Sequence, residues 1–168
     1  MRLLLISDTH VPGRRRRVPD EVWRAVESAD VVVHAGDWDS VALLDELTAR
    51  SARLIGVYGN NDGPDLRARL PEMITEELAG LTLSVIHETG AKQGRERRCS
   101  AQFPHSDVLV FGHSHIPWDS VTETGLRLLN PGSPTDRRRQ PTHTWMTASI
   151  EDGGLVEVVL HHLQSGPS

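Results

Sequence analysis

Short apolar runs alternate with amphipathic stretches along the first third of the chain. Leu3 to Ser7, Asp30 to Ala35 and Arg53 to Tyr58 are brief, rich in Leu, Val and Ile, and each ends in turn-forming residues. Runs of this kind suit strands buried on both faces. Between the first two, Pro19 to Glu27 puts Val22, Trp23 and Val26 on one helical face, with Pro19 in the first turn. Between the second and third, Asp39 to Leu47 reads as a helix capped by Asp39 or Ser40. The pattern predicts β-α-β-α-β with parallel strands.

After Pro71 the period changes. Glu72 to Leu78 and Leu81 to Ile86 alternate apolar and polar residues around Ala79-Gly80, a predicted hairpin. Gln93 to Phe103 reads as a helix and Asp107 to Phe111 as another buried strand. Trp118 to Thr124, Arg127 to Leu129, Thr144 to Ile150 and Leu155 to His161 read as antiparallel strands, turning at Thr124-Gly125 and Asp152-Gly153-Gly154. With no repeat or linker in view, residues 1–163 are expected to form a single domain, followed by a tail over residues 164–168.

Composition narrows the class. The 168 residues suffice to bury a core without disulfides or a structural metal, and 38% hydrophobic with 24% charged residues fits a soluble globular protein. One cysteine, Cys99, excludes a disulfide framework and points to a reducing compartment; it reads as a packed helix residue rather than a nucleophile. The N-terminal apolar run stops at Ile6, too short for a signal peptide, and no stretch approaches the roughly 18 apolar residues of a membrane span. A cytoplasmic location is expected, with no membrane partner. Lys and Arg number 18 against 23 Asp and Glu, and the net charge of −5 argues against a dedicated nucleic-acid binder. Nine histidines beside 23 carboxylates mean that any metal would be held by oxygen and imidazole, not sulfur.

The chemistry gathers at strand ends. Asp8-Thr9-His10 follows the first predicted strand, Gly36-Asp37 the second and Gly59-Asn60-Asn61-Asp62 the third. His87 ends the fifth, and Gly112-His113-Ser114-His115 follows the next buried strand. Carboxyl ends of strands are where ligands bind in α/β sheets. Singly, each of these residues is an ordinary turn residue or helix cap. Together they offer an inventory suited to two divalent ions, with Gly36, Gly59 and Gly112 expected to let the backbone turn tightly.

The set Asp8-x-His10, Gly36-Asp37, Gly59-Asn60, His87 and Gly112-His113-x-His115 resembles the calcineurin-like metallophosphoesterase superfamily. It more closely resembles the small single-domain bacterial and archaeal phosphodiesterases, which Asn130-Pro131-Gly132-Ser133 also matches. The resemblance implies an α/β fold, a four-layer αββα sandwich of two mixed sheets. It implies one ion on Asp8, His10 and His115, another on Asn60, His87 and His113, and Asp37 bridging both. The mixed donors suit Mn²⁺, the metal expected, or Fe²⁺, Ni²⁺ or Zn²⁺. Two such ions roughly 3.5–4 Å apart can hold a bridging hydroxide for in-line attack on phosphorus. Asp37, Asn60, Asn61 and His87 would then be catalytic, with Asn61 also binding substrate. Four added positive charges would bring the net charge from −5 to about −1, so the acidity does not oppose a phosphate-ester substrate.

Several positions depart from the family pattern or lie beside it. Many members carry His where this chain has Asn61; an amide donates a hydrogen bond but is no general acid, so activated diesters should be favoured. Glu88 replaces a usual Gly and reads as a solvent-facing turn residue. Asp62 is expected to orient a site histidine, His34 to be buried rather than ligating, and His105, His143, His161 and His162 to lie on the surface. Arg14 to Arg17 and Arg137 to Arg139 could rim the site and attract phosphate. A phosphodiesterase of small phosphate esters is the leading reading. A non-catalytic interaction scaffold, as in the retromer subunit of this fold, and a nuclease are the alternatives. Nucleic acid is then a partner only as substrate, and an exposed sheet face could support a homodimer.

Overall fold

The computed structural model describes residues 1–13 and 16–163; the expected tail over 164–168 and two residues of the first arginine cluster, Arg14 and Arg15, lie outside them. In chain order the elements are β1 (Arg2–Ile6), α1 (Asp20–Ser28), β2 (Val31–His34), α2 (Val41–Arg50), β3 (Leu54–Gly56) and α3 (Pro64–Arg67). There follow β4 (Met73–Leu78), β5 (Leu81–Ile86), α4 (Arg95–Gln102), β6 (Val108–Val110), β7 (Trp118–Val121), β8 (Arg127–Asn130), β9 (His143–Glu151) and β10 (Gly154–Leu163). One sheet has the order β10-β9-β1-β2-β3 and the other β4-β5-β6-β8-β7. Both are mixed. β1, β2 and β3 run parallel, as do β5, β6 and β8, while β9 and β4 pair antiparallel with β1 and β5.

Alternation along the inner strands explains why both of their faces are buried. Leu3, Leu5, Val31 and Val33 point between the sheets and meet Leu83, Val85, Val108 and Val110 from the other. Leu4, Ile6 and Val32 point outward, beneath Val22, Trp23 and Val26 of α1 and Leu43, Leu44 and Leu47 of α2. Across the second sheet, Leu109, Phe111 and Leu128 pack under Cys99 and Phe103 of the α4 segment. The result is the expected four-layer αββα sandwich. Each fully buried Leu or Val contributes about 1.5–3 kcal/mol relative to exposure, so the parallel strands are held from both sides.

The structure corrects several local expectations. Arg127 to Leu129, read as part of an antiparallel set, lies in β8, which pairs antiparallel with β7 but parallel with β6. A buried apolar triplet carries no direction of its own, and only the neighbouring strands decide it. Pro19 is the N-cap of α1 rather than a residue of its first turn, and Ser40, whose hydroxyl accepts from the Leu43 N–H, caps α2. The short helix α3 carried too few residues for a periodic signal. Cys99 is buried, as expected for a packed residue, and burial pushes its thiol up.

Candidate metal centre

The loops after β1, β2, β3, β5 and β6 bring all seven expected ligands to one edge where the two sheets meet. Asp8 Oδ1 lies 3.3 Å from His115 Nε2, and His115 Nε2 lies 3.4 Å from His10 Nε2. On the other flank, Asn60 Oδ1 lies 3.0 Å from His87 Nε2 and 2.9 Å from His113 Nδ1. Asp37 stands between, its Oδ2 3.5 Å from His10 Nε2 and 3.4 Å from His87 Nε2. Asp8, His10 and His115, and Asp8, Asp37 and His87, form two groups whose ligand atoms lie within 4.8 Å of one another. Asp8 thus belongs to both groups, whereas the single oxygen Asp37 Oδ2 approaches a histidine on each flank.

Three of the four expected ligand histidines have their second nitrogen hydrogen-bonded. His10 Nδ1 is 3.1 Å from the Asp39 carboxylate, His87 Nδ1 donates to the Ala35 carbonyl at 2.7 Å, and His115 Nδ1 donates to the Asp136 carbonyl. His113, with 41% of its side chain exposed, has Nε2 3.7 Å from Glu88. Such partners select the tautomer and leave the other nitrogen's lone pair for a metal. Asp39 was legible only as a possible cap, and Ser40 took that task instead.

The carboxylates are braced too. Asp8 and Asp37 are fully buried, and among the described residues neither pairs with Lys or Arg. Asp8 accepts from the Ser7 hydroxyl at 2.7 Å and from the His113 N–H at 3.0 Å. Asn61 donates its backbone N–H to Asp37 Oδ1 at 2.9 Å and its amide to Oδ2 at 2.7 Å. Burial works to raise the Asp37 carboxyl, but His87 and the Asn61 donors outweigh it and hold the group well below the carboxylate range. Those same carboxylates raise His87 against its burial.

Asp62 orients no histidine. Its carboxylate accepts the backbone N–H groups of Asp37, Trp38, Asp39 and Gly59 at 2.7–3.0 Å, tying the β2 and β3 loops together. The role expected of Gly59 and Gly112 also changes. Neither has a positive φ; a Cβ at Gly59 would sit 2.1 Å from Asp37 Oδ1, and one at Gly112 2.0 Å from Ser7 Oγ. They permit close approach, while Gly36, at φ 96°, does turn the chain. Six non-glycine residues here, Asp8, His10, Asp37, Asp39, His113 and His115, have φ between 46° and 69°. Backbone held in that sparse region marks a site whose geometry the surroundings over-determine.

His34 is buried, as expected, and stacks on Trp38 at 3.6 Å. Its Nδ1 accepts from the Gly36 N–H at 3.2 Å, so Nε2 donates to the Thr9 hydroxyl at 3.0 Å. Burial, then the charge of His87, holds its imidazole well below the usual range. Asn130 donates to the Gly112 carbonyl and Ser133 to the Asp8 carbonyl, so the Asn130–Ser133 motif braces two ligand loops. His143 and His161 are half-buried rather than surface residues; His161 stacks on Trp145 and bonds Thr147. Of the arginines, Arg16 pairs with Asp136 at 2.9 Å and Arg138 Nη1 donates to the His113 carbonyl at 3.3 Å.

A groove of about 220 Å³ opens beside the centre, lined by Tyr58, Asn60, Arg67, Glu72, His87 and Glu88. A larger cavity of about 590 Å³, near Ala25, Ser28, Thr147 and Val159, holds none of the ligand set. No helix among the described residues is long and apolar enough to cross a membrane.

The chain is 33% identical over 152 residues, 88% of its length and 75% of the relative's, to a probable metallophosphoesterase of Methanocaldococcus jannaschii. It is 26% identical over 152 residues, 79% of its length and 83% of the relative's, to a phosphodiesterase of the same organism. The fold superposes with a TM-score of 0.78 and 21% identity on Entamoeba histolytica Vps29 complexed with Zn²⁺, covering 97% of this chain and 98% of that one. Residues 1–153 match the calcineurin-like phosphoesterase superfamily domain, and the chain belongs to that family.

Proposed function

We propose that the chain is a metal-dependent phosphodiesterase acting on small phosphate esters. The observation that carries this reading is a pair of buried carboxylates, Asp8 and Asp37, without Lys or Arg partners among the described residues, facing imidazole nitrogens whose opposite sides are already engaged. Uncompensated buried charge is costly, and divalent cations fit both the charge and the donors. Asp8, His10 and His115 would hold one ion and Asn60, His87 and His113 the other. Asp37 would bridge them, because one of its oxygens faces both flanks. Mixed oxygen and imidazole donors favour Mn²⁺, Fe²⁺, Ni²⁺ or Zn²⁺ over Ca²⁺, with Mn²⁺ our choice. Bound there, the ions supply charge for the phosphoryl oxygens and a nucleophile derived from water.

The chain's own residues do the positioning. Asn61 spends one amide hydrogen on Asp37 and keeps a second for a phosphoryl oxygen. It has no proton to give a leaving group, a lack that typically slows turnover about 10²–10⁴-fold. Weakly basic leaving groups, such as aryl alcohols, therefore suit the site, and the groove beside His87 gives them room. The phosphodiesterase relative supports the diester preference.

Hydrolysis of an aryl phosphodiester by metal-stripped protein resupplied with Mn²⁺ tests the reading. Activity should return with Mn²⁺ and fall to background in Asp37→Asn and His87→Ala. Wild-type turnover by either variant, or no rescue by any of the four metals, would overturn it.

A further inference from the structure

Arg95, the first residue of α4, has only 8% of its surface exposed. Its guanidinium rests 4.9 Å from the Phe111 ring and 4.7 Å from the Trp118 ring. Its Nε is sealed from solvent without an acceptor, and among the described residues no carboxylate lies within 4.0 Å of the group. Aromatic faces offset part of a cation's desolvation but satisfy none of its N–H donors. A buried Nε–H without an acceptor is therefore an unfinished interaction.

A second cation converges on the same indole: Lys92 Nζ lies 5.3 Å from the Trp118 ring. Lys92 is held there by its loop, because Arg98 donates to the carbonyls of Thr89, Ala91 and Gln93. Lys92, Gln93, Gly94, Arg95, Glu96 and Trp118 line a pocket of about 470 Å³. Among the described residues Glu96 is the one carboxylate in that lining, set against two cations and the positive end of α4. None of these residues belongs to the metal centre, although the loop that carries Lys92 leaves from His87 and Trp118 follows three residues after His115.

We propose that Lys92, Arg95 and Trp118 form an anion subsite that takes a phosphate group. The planar Arg fork suits phosphate oxygens and two converging cations favour a dianion. The pocket exceeds a lone phosphate, leaving room for the group that bears it. That phosphate comes either from inorganic phosphate or from a second phosphate on an ester substrate, and only the latter rests on the phosphodiesterase reading.

Titrating metal-stripped protein with inorganic phosphate, followed by ¹H–¹⁵N NMR, tests the subsite without activity. The Arg95 Nε–H and Trp118 Nε1–H signals should shift, with affinity reduced about tenfold in Lys92→Ala and in Arg95→Gln and unchanged in Asp37→Asn. Lys92 is exposed, so its variant keeps the test decisive should Arg95→Gln fail to fold. Shifts confined to the metal-centre loops, or equal affinity in Lys92→Ala, would overturn the proposal. In the Mn²⁺-loaded enzyme, a rise in KM in Lys92→Ala only for an aryl diester carrying a terminal phosphate assigns the subsite to substrate. An unchanged KM beside weakened phosphate binding in the same variant assigns it to the free anion.

Discussion

At the scale of single residues, the site is shaped by groups that never need touch a substrate. Asp62 satisfies four backbone N–H groups from two loops. Asp62→Ala leaves them unmet in a buried place, and we expect a loss of about 3–5 kcal/mol in urea unfolding, where a loss below about 1 kcal/mol would refute the role. His34 gives a pH signature. The unfolded chain protonates it near about 6.5, whereas burial keeps the folded-state value well below that. Protons then favour the unfolded state, so the contribution is nil above about pH 6.5 and destabilises as pH falls below it. Between about pH 6.5 and 5, metal-free His34→Gln should lose up to about 1.4 kcal/mol less stability per pH unit than wild type. Parallel pH curves would sink the idea. His87 is raised and acts in the opposite sense, but it is present in both proteins and cancels.

At the scale of elements, β1, β2, β3, β5 and β6 each end in a loop whose ligand depends on a neighbouring loop for its geometry. The start of α2 separates two tasks that the sequence could not divide. Ser40→Ala should cost the helix about 1 kcal/mol and leave metal affinity intact. Asp39→Asn removes the carboxylate behind His10 and should weaken metal binding about 10–100-fold with little change in the helix. Calorimetric Mn²⁺ titration alongside thermal unfolding separates them; equal effects on both readouts would contradict the division. Gly112→Ala tests the meeting of β1 and β6. Its Cβ has no space beside Ser7 Oγ and Asp8 Oδ2, so we expect a loss of about 1–3 kcal/mol and displaced metal binding.

At the scale of the whole molecule, the core and the metal centre are separable. The inter-sheet core and the two helix-covered outer faces contain none of the seven expected ligands. Chelation should therefore lower the melting temperature, by the linkage expected when a ligand binds only the folded state, while far-UV circular dichroism stays native. Unfolding on chelation would show instead that the ions are structural. The same edge collects so much strain and buried charge because the rigid two-sheet frame supports it from both sides.

Much of this was legible along the chain. Apolar runs at strand spacing, amphipathic helices between them, and Asp, His and Asn at successive strand ends follow from local sequence, because side-chain period and turn chemistry act over a few residues. Direction and partnership were not. Whether β8 runs with β6, whether Asp39 caps a helix or backs His10, whether Asp62 serves a histidine or four N–H groups, and why Gly59 and Gly112 lack a Cβ all depend on what another segment brings within a few ångströms. The unpaired state of Arg95 belongs to the same class. Residue type and spacing name the donors a chain can offer, but satisfaction of buried charge and polar groups is a property of contacts between distant segments, so only the tertiary structure decided it.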